Sequence, residues 1–165
     1  AKECGLAMPA TRLSEEKHFG VERFDRSANG KFHVISIAGL IGADYRMPCI
    51  DYSHIFKVCS ILSHNMAELW KVYRLMVFNY LIANKDDHAK NFSFICRNGV
   101  WSLSPAYDIT YSPLGTKGEH ATSLFYNGNP TKDLMIKAGV QIKIPKKRCL
   151  EIIDYIEKVC DEKLR

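Results

Sequence analysis

The stretch from Leu69 to Ala83 constrains this chain more than any other. Leu69, Val72, Met76 and Leu81 fall on one helical stripe, and Trp70, Tyr73, Val77, Phe78 and Tyr80 fill most of the remaining circumference. A helix apolar nearly all round cannot lie on a surface and must run through the middle of a domain. The spacing predicts this helix over residues 65–83. The next ten residues are abruptly polar: Asn84-Lys85-Asp86-Asp87-His88-Ala89-Lys90-Asn91-Phe92-Ser93. Two carboxylates, an imidazole, two ammonium groups and two amides are thus delivered at the exit of a core helix, before apolar character resumes at Phe92, Phe94 and Ile95.

Around that helix the pattern predicts an α+β fold, mostly helical, with small β-hairpins. Residues 1–8 read as the end of a helix stopped near Pro9. Residues 19–25 alternate as a half-buried strand does, and residues 31–37 read as a second strand. Ser27-Ala28-Asn29-Gly30 forms the turn of this first hairpin. A loop with Gly42, Asp44 and Pro48 leads to a helix over residues 55–63, capped by Asp51 or Ser53. Arg97-Asn98-Gly99 separates strands at 92–96 and 100–103, the second of which Pro105 ends. Residues 111–130 read as irregular, with a short strand at 122–126. Thr131 or Asp133 opens a helix to about Gly139, and Pro145 opens a last helix through Leu164, with Leu150, Ile153, Ile156 and Val159 at helical spacing.

The 165 residues suit one domain, or part of one. No apolar run approaches the roughly 18 residues of a membrane span, and the first residues lack signal-peptide character. The chain does not begin with Met and is expected to be a fragment of a longer protein. Cys4, Cys49, Cys59, Cys96, Cys149 and Cys160 are scattered, with no metal spacing, and read as reduced, mostly buried thiols of a cytosolic protein. The net charge of +5 owes much to Lys146, Lys147, Arg148, Lys158, Lys163 and Arg165. Such a face is usually solvated; contact with nucleic acid or an acidic partner is the alternative.

Asp86 and Asn91 stand five positions apart, the Asp-to-Asn interval of a protein-kinase catalytic loop. Phosphoryl transfer needs an aligned nucleophile, held phosphates and Mg²⁺ clamped by hard oxygens. Asp86 is placed to orient the proton of an attacking hydroxyl, while Asn91 and Asp108 offer an amide oxygen and a carboxylate. The hairpin between those two is a short way to bring them together. Lys90 can neutralise phosphate charge, and His88 can either contact a nucleotide or brace the loop. Asp87 reads as solvated or supporting, and Trp101 and Tyr107 as packing residues.

Residues 86–93, with Leu103-Ser104-Pro105-Ala106-Tyr107-Asp108-Ile109 after them, closely resemble the catalytic core of HipA-like serine/threonine kinases, bacterial toxins of toxin–antitoxin systems. Val21-Glu22-Arg23-Phe24-Asp25-Arg26 resembles the family's hinge strand, so the resemblance spans most of residues 1–140. It implies the C-terminal lobe of a protein-kinase-like fold, with residues 1–37 as hinge region and hairpin and 38–165 as the helical lobe. By the same resemblance Asp86 is the catalytic base and Asn91 and Asp108 are the Mg²⁺ ligands. The backbone of Glu22 to Phe24 meets adenine, and Asp25, His88 and Lys90 lie near ribose or phosphates. Ordinary protein kinases carry Lys where His88 stands and Phe-Gly where Ile109-Thr110 stand; both departures suit the HipA-like pattern.

The implied activity is transfer of the γ-phosphate of Mg²⁺-ATP to a protein serine or threonine in the cytoplasm. The implied partner is a helix-turn-helix antitoxin, through which DNA is reached indirectly, with no membrane involved. The Gly-rich phosphate loop and strand Lys that precede the hinge in the family are missing from the sequence. That leaves two rival readings: a non-catalytic kinase lobe that docks a partner, and a lipid kinase related to the phosphatidylinositol kinases.

Overall fold

The computed structural model describes residues 1–14, 17–43, 50–115 and 118–164. Asp44 and Pro48 of the expected loop, Cys49 and Arg165 lie outside the described residues. In chain order the elements are β1 (Thr11–Leu13), β2 (Phe19–Val21), β3 (Arg26–Ser27), β4 (Gly30–Lys31), β5 (His33–Ser36), α1 (Ile37–Ile41), β6 (Ile50–Asp51), α2 (Tyr52–Ser63), α3 (Met66–Leu81), β7 (Ser93–Arg97), β8 (Val100–Leu103), β9 (Thr122–Ser123), α4 (Lys132–Gln141) and α5 (Lys146–Leu164). A 3-10 turn at Ala89–Asn91 lies between α3 and β7. The architecture is α+β, as the pattern predicts.

The apolar circumference of α3 puts it at the centre, packed by α2, α4, α5 and β8. It buries Leu69, Val72, Tyr73, Leu75, Met76, Val77 and Phe78. Asn65 sets its start, accepting the Ala67 N–H at 2.9 Å, the local bond that caps a helix N-terminus. Two buried polar residues interrupt its surface. Glu68, near the start, accepts from Lys71 Nζ at 2.6 Å and from the Leu103 N–H at 2.9 Å, and so pins the end of β8. Asn79, near the end, belongs to the site.

Asp51 does double duty before α2. One carboxylate oxygen accepts the Ser53 N–H at 2.9 Å while the Asp51 N–H donates to His54 Nδ1 at 3.2 Å, a reciprocal cap. The other oxygen accepts from Ser123 Oγ at 2.8 Å and the Tyr126 N–H at 3.0 Å, which holds the parallel β6–β9 pair. Burial pushes the Asp51 carboxyl up, but the Tyr126, Ser53 and Ser123 bonds outweigh it and hold the group below the usual range.

The three-stranded antiparallel sheet runs β5–β7–β8. Asn98 and Gly99 join β7 to β8 with φ of 52° and 78°, the left-handed pair that a two-residue hairpin turn demands. Four of the five described cysteines, Cys4, Cys59, Cys149 and Cys160, are buried and Cys96 is partly so, which agrees with the burial expected of them. Among the described residues no helix is long and apolar enough to cross a membrane.

Two expectations fail. Residues 1–8 form turns and extended chain rather than a helix end. Gly5 sits at φ 75°, and tertiary donors take the carbonyls a helix would use: Arg74 Nη1 reaches Cys4 O at 3.0 Å and the Ala106 N–H reaches Ala7 O at 2.7 Å. Nor do residues 19–25 and 31–37 pair along their length. β2 pairs back with β1, while β5 pairs with β7. The Asn29-Gly30 turn is real but joins only β3 to β4. The expected strand ends at Val21; beyond it Arg23 bonds the Asp25 carboxylate at 2.9 and 2.6 Å.

At Gly139 of α4, side chains of α3 and α5 press close against the helix. A Cβ there would meet Tyr73 of α3 at 2.9 Å and press on the Cys149 sulfur of α5. Gly139→Ala is therefore expected to cost about 1–3 kcal/mol by overpacking, read as a lower urea midpoint.

Candidate functional site

The polar loop is positioned by bonds on both sides of α3's end. Ala83 takes φ 51°, which ends the helix. The Asn84 N–H then donates to Asn79 O at 2.9 Å, and the Lys85 N–H donates to Ser112 O at 3.3 Å. From there two adjacent aspartates go opposite ways.

Asp86 keeps half of its side chain in solvent, with His88 Nε2 3.0 Å from its Oδ1. Asp87 has a fully buried side chain. Its Oδ1 accepts the Thr122 N–H at 3.1 Å. Its Oδ2 accepts the Tyr52 hydroxyl at 3.3 Å and faces His120 Nδ1 at 3.3 Å. Its carbonyl accepts the Thr122 hydroxyl. Burial pushes the Asp87 carboxyl up, opposed by His120 and by the Thr122 and Tyr52 bonds. The supporting alternative for Asp87 is thus the one realised: it anchors the loop from beneath while Asp86 faces outward.

The network continues upward. Asn79 Nδ2 donates to the Tyr52 hydroxyl at 3.1 Å, and Asn84 Nδ2 donates to Asn79 Oδ1 at 3.0 Å. The 3-10 turn carries Asn91, whose Nδ2 donates to the Asp86 carbonyl at 3.0 Å. With its NH₂ engaged there, the amide has its carbonyl oxygen to offer. Asp108 is exposed, at φ 54°, and is held by its neighbour: Tyr107 donates to the Lys90 carbonyl at 2.6 Å. A small cleft is lined by Asn79, Asn84, Asp87, Asn91, Tyr107 and Asp108. The structure therefore brings Asn91 and Asp108 to one cleft, with Asp86 joined to it through its carbonyl bond to Asn91.

Of the residues expected at the hinge, Phe24 reaches the wall of this cleft. The Phe24 ring packs on Tyr107 with centroids 5.7 Å apart, and Arg97 Nη2 reaches the Phe24 carbonyl at 3.4 Å. The backbone N–H of Glu22 donates to Ala10 O at 2.8 Å. Asp25 is engaged by Arg23, whose hydrogen bonds hold its carboxyl below the usual range, and by Arg26 at 3.4 Å. These bonds of Glu22 and Asp25 thus run within residues 10–26. Lys90 is exposed, and His88 is bonded to Asp86.

One carboxylate and one amide oxygen are a sparse, hard donor set. Among the described residues no group of three or more His, Cys, Asp and Glu is arranged for a metal. Mg²⁺ tolerates few protein ligands, since it keeps several waters and takes phosphate oxygens, so Asn91 and Asp108 fit that ion.

Sequence reasoning missed Tyr52, Asn79, His120 and Thr122. Asn79 had a signal, being a polar residue inside an otherwise apolar run. His120 lies in an irregular stretch, and Thr122 opens the expected short strand, but no pattern there points either of them to Asp87. Tyr107 packs, as expected, but its hydroxyl also fastens the Lys90 carbonyl. The two aspartates should separate experimentally. Asp87→Ala leaves buried donors unpaired at about 1–3 kcal/mol each, so a loss of at least about 3 kcal/mol is expected. Asp86→Asn should move stability by no more than about 0.5 kcal/mol; chemical denaturation of both variants checks the contrast.

Comparison with known proteins agrees with the motif reading. The family model described as HipA-like C-terminal domain matches residues 1–164. A Haemophilus influenzae protein named as a kinase candidate is 32% identical over 135 residues, covering 68% of this chain and 38% of that protein. The kinase candidate Y4dM of Sinorhizobium fredii is 32% identical over 110 residues, covering 65% of this chain and 27% of that protein. The HipA chain of a Shewanella oneidensis MR-1 toxin–antitoxin complex with HipB and operator DNA shares the fold, at TM-score 0.71 and 18% identity, over 94% of this chain and 44% of that one. The chain thus spans less than half the length of these relatives. On the family match over nearly its whole length, this chain belongs to the HipA-like C-terminal domain family.

Proposed function

We propose that the chain is the hinge and C-terminal lobe of a HipA-type serine/threonine protein kinase that uses Mg²⁺ and ATP. The observation that carries the reading is the convergence of Asn91 and Asp108 on one cleft beside Asp86. In it Asp86 orients the proton of the attacking hydroxyl, with His88 steadying the carboxylate. Asn91 and Asp108 would hold Mg²⁺, which would supply neutralisation of phosphate charge. Lys90 and His88 serve the phosphates, the Glu22 to Phe24 backbone meets adenine, and Asp25 lies towards the ribose. The protein acts in the cytoplasm on a protein substrate.

The relatives named as kinase candidates support the reaction class. The Shewanella HipA structure contains HipB and operator DNA, which supports a DNA-binding antitoxin as partner, with DNA reached through it.

Two measurements test this. In the full-length protein, Asp86→Asn should lower γ-phosphate transfer by about 100- to 10,000-fold, the range general-base catalysis supplies; undiminished transfer would overturn the assignment. In this chain, Mg²⁺-ATP should raise the unfolding temperature by mass action, and Asp108→Asn should remove the Mg²⁺-dependent part. A wild-type chain with no shift at millimolar nucleotide would instead favour a non-catalytic lobe that docks a partner.

A further inference from the structure

Asn84 is 2% exposed and lines the same cleft as Asn91 and Asp108, yet its Oδ1 has no hydrogen-bond partner among the described residues. A buried, unpaired carbonyl oxygen is costly and calls for an explanation.

The orientation of this amide is not arbitrary. Asp87 is an acceptor: the Thr122 N–H donates to one oxygen and the Tyr52 hydroxyl to the other. Burial keeps the Tyr52 proton on, so that hydroxyl has a proton to give. Having donated to Asp87, Tyr52 must accept from Asn79, which therefore turns its Nδ2 to the hydroxyl. Asn79 Oδ1 then needs a donor, and Asn84 Nδ2 supplies it at 3.0 Å. One oxygen is left at the end of the line, and it belongs to Asn84.

We propose that Asn84 is a third cation-facing residue: the Asp87–Tyr52–Asn79 relay fixes its Oδ1 as an acceptor for a water on the cation held by Asn91 and Asp108. This rests on the Mg²⁺-nucleotide reading and adds to it a positioning residue. A bound cation polarises its waters, which makes them strong donors for such an oxygen. The relay also ties the buried Asp87 anchor to the cleft, so disturbing one end alters the other. Tyr52, from α2, thereby acts on the site without lining it.

The test is the Mg²⁺ concentration that gives half of the ATP-induced rise in unfolding temperature, measured at fixed ATP. Asn84→Ala is expected to raise that concentration by about 10- to 100-fold, the usual effect of losing an outer-shell partner. Tyr52→Phe retains Asn84 but frees its orientation and should raise it in the same direction by less. A lowered unfolding temperature without ligand, with an unchanged Mg²⁺ midpoint, would show a purely structural Asn84 and overturn the inference. If Asn84→Ala does not fold, Tyr52→Phe decides, and an unchanged midpoint there overturns it equally. A wild-type chain with no Mg²⁺-dependent rise would remove the proposed function and this inference together. A wild-type rise whose Mg²⁺ midpoint Asn84→Ala leaves unchanged removes the inference alone.

Discussion

The structure depends on satisfying the Asp87 carboxylate. Taking an ionised carboxylate out of water costs several kcal/mol unless charges and donors replace the lost hydration. The replacements come from the start of α2 (Tyr52), from β9 (Thr122) and from the segment before it (His120). Each of these elements must be in place for the group to be tolerated, so one side chain specifies the relative placement of three parts of the chain. Tyr80 reinforces the arrangement, its hydroxyl donating to the Thr122 carbonyl at 3.0 Å and its ring packing edge-on to His120 with centroids 4.5 Å apart. The loop above Asp87 is therefore polar and partly exposed but not loose.

That anchoring gives the outward residues their geometry. Asp86 is one peptide unit from Asp87, and the Asp86 carbonyl in turn holds the Asn91 amide. On the other side Tyr107 fastens the Lys90 carbonyl and packs at a tilt against Phe24, so the segment expected as hinge, the loop and the Asp108 segment meet at one ring. Under the kinase reading this ring is where nucleotide held at the hinge and metal held at the loop are brought into register.

Much of this was legible in the sequence where one local rule dominated. The central helix was, because residues apolar on all sides admit one environment, and α3 occupies it. The β7–β8 turn was, because Asn98-Gly99 suits left-handed φ and little else there does. The Asp86, Asn91 and Asp108 set was singled out by residue type, order and family resemblance, and the fold brings the last two to one cleft. The failures were decided by partners distant in sequence. Residues 1–8 give carbonyls to Arg74 and Ala106, and β5 leaves its neighbour for β7. Asp87 left a solvated and a supporting reading open, and His120 carried no reading at all, because composition reports polarity but not which polar groups find each other.

The span of the Asp87 bonds bears on how the domain is assembled. Tyr52 lies 35 residues before Asp87, while His120 and Thr122 lie 33 and 35 after it. Closing loops of that size is entropically unfavourable until the contacts they make can reward it. The sheet hairpin and the individual helices can form from local contacts, whereas the carboxylate can be accommodated only once both flanks have arrived. The site is thus expected among the last parts of the molecule to become ordered, and a chain emerging in synthesis would hold no competent loop until α4 was nearly reached.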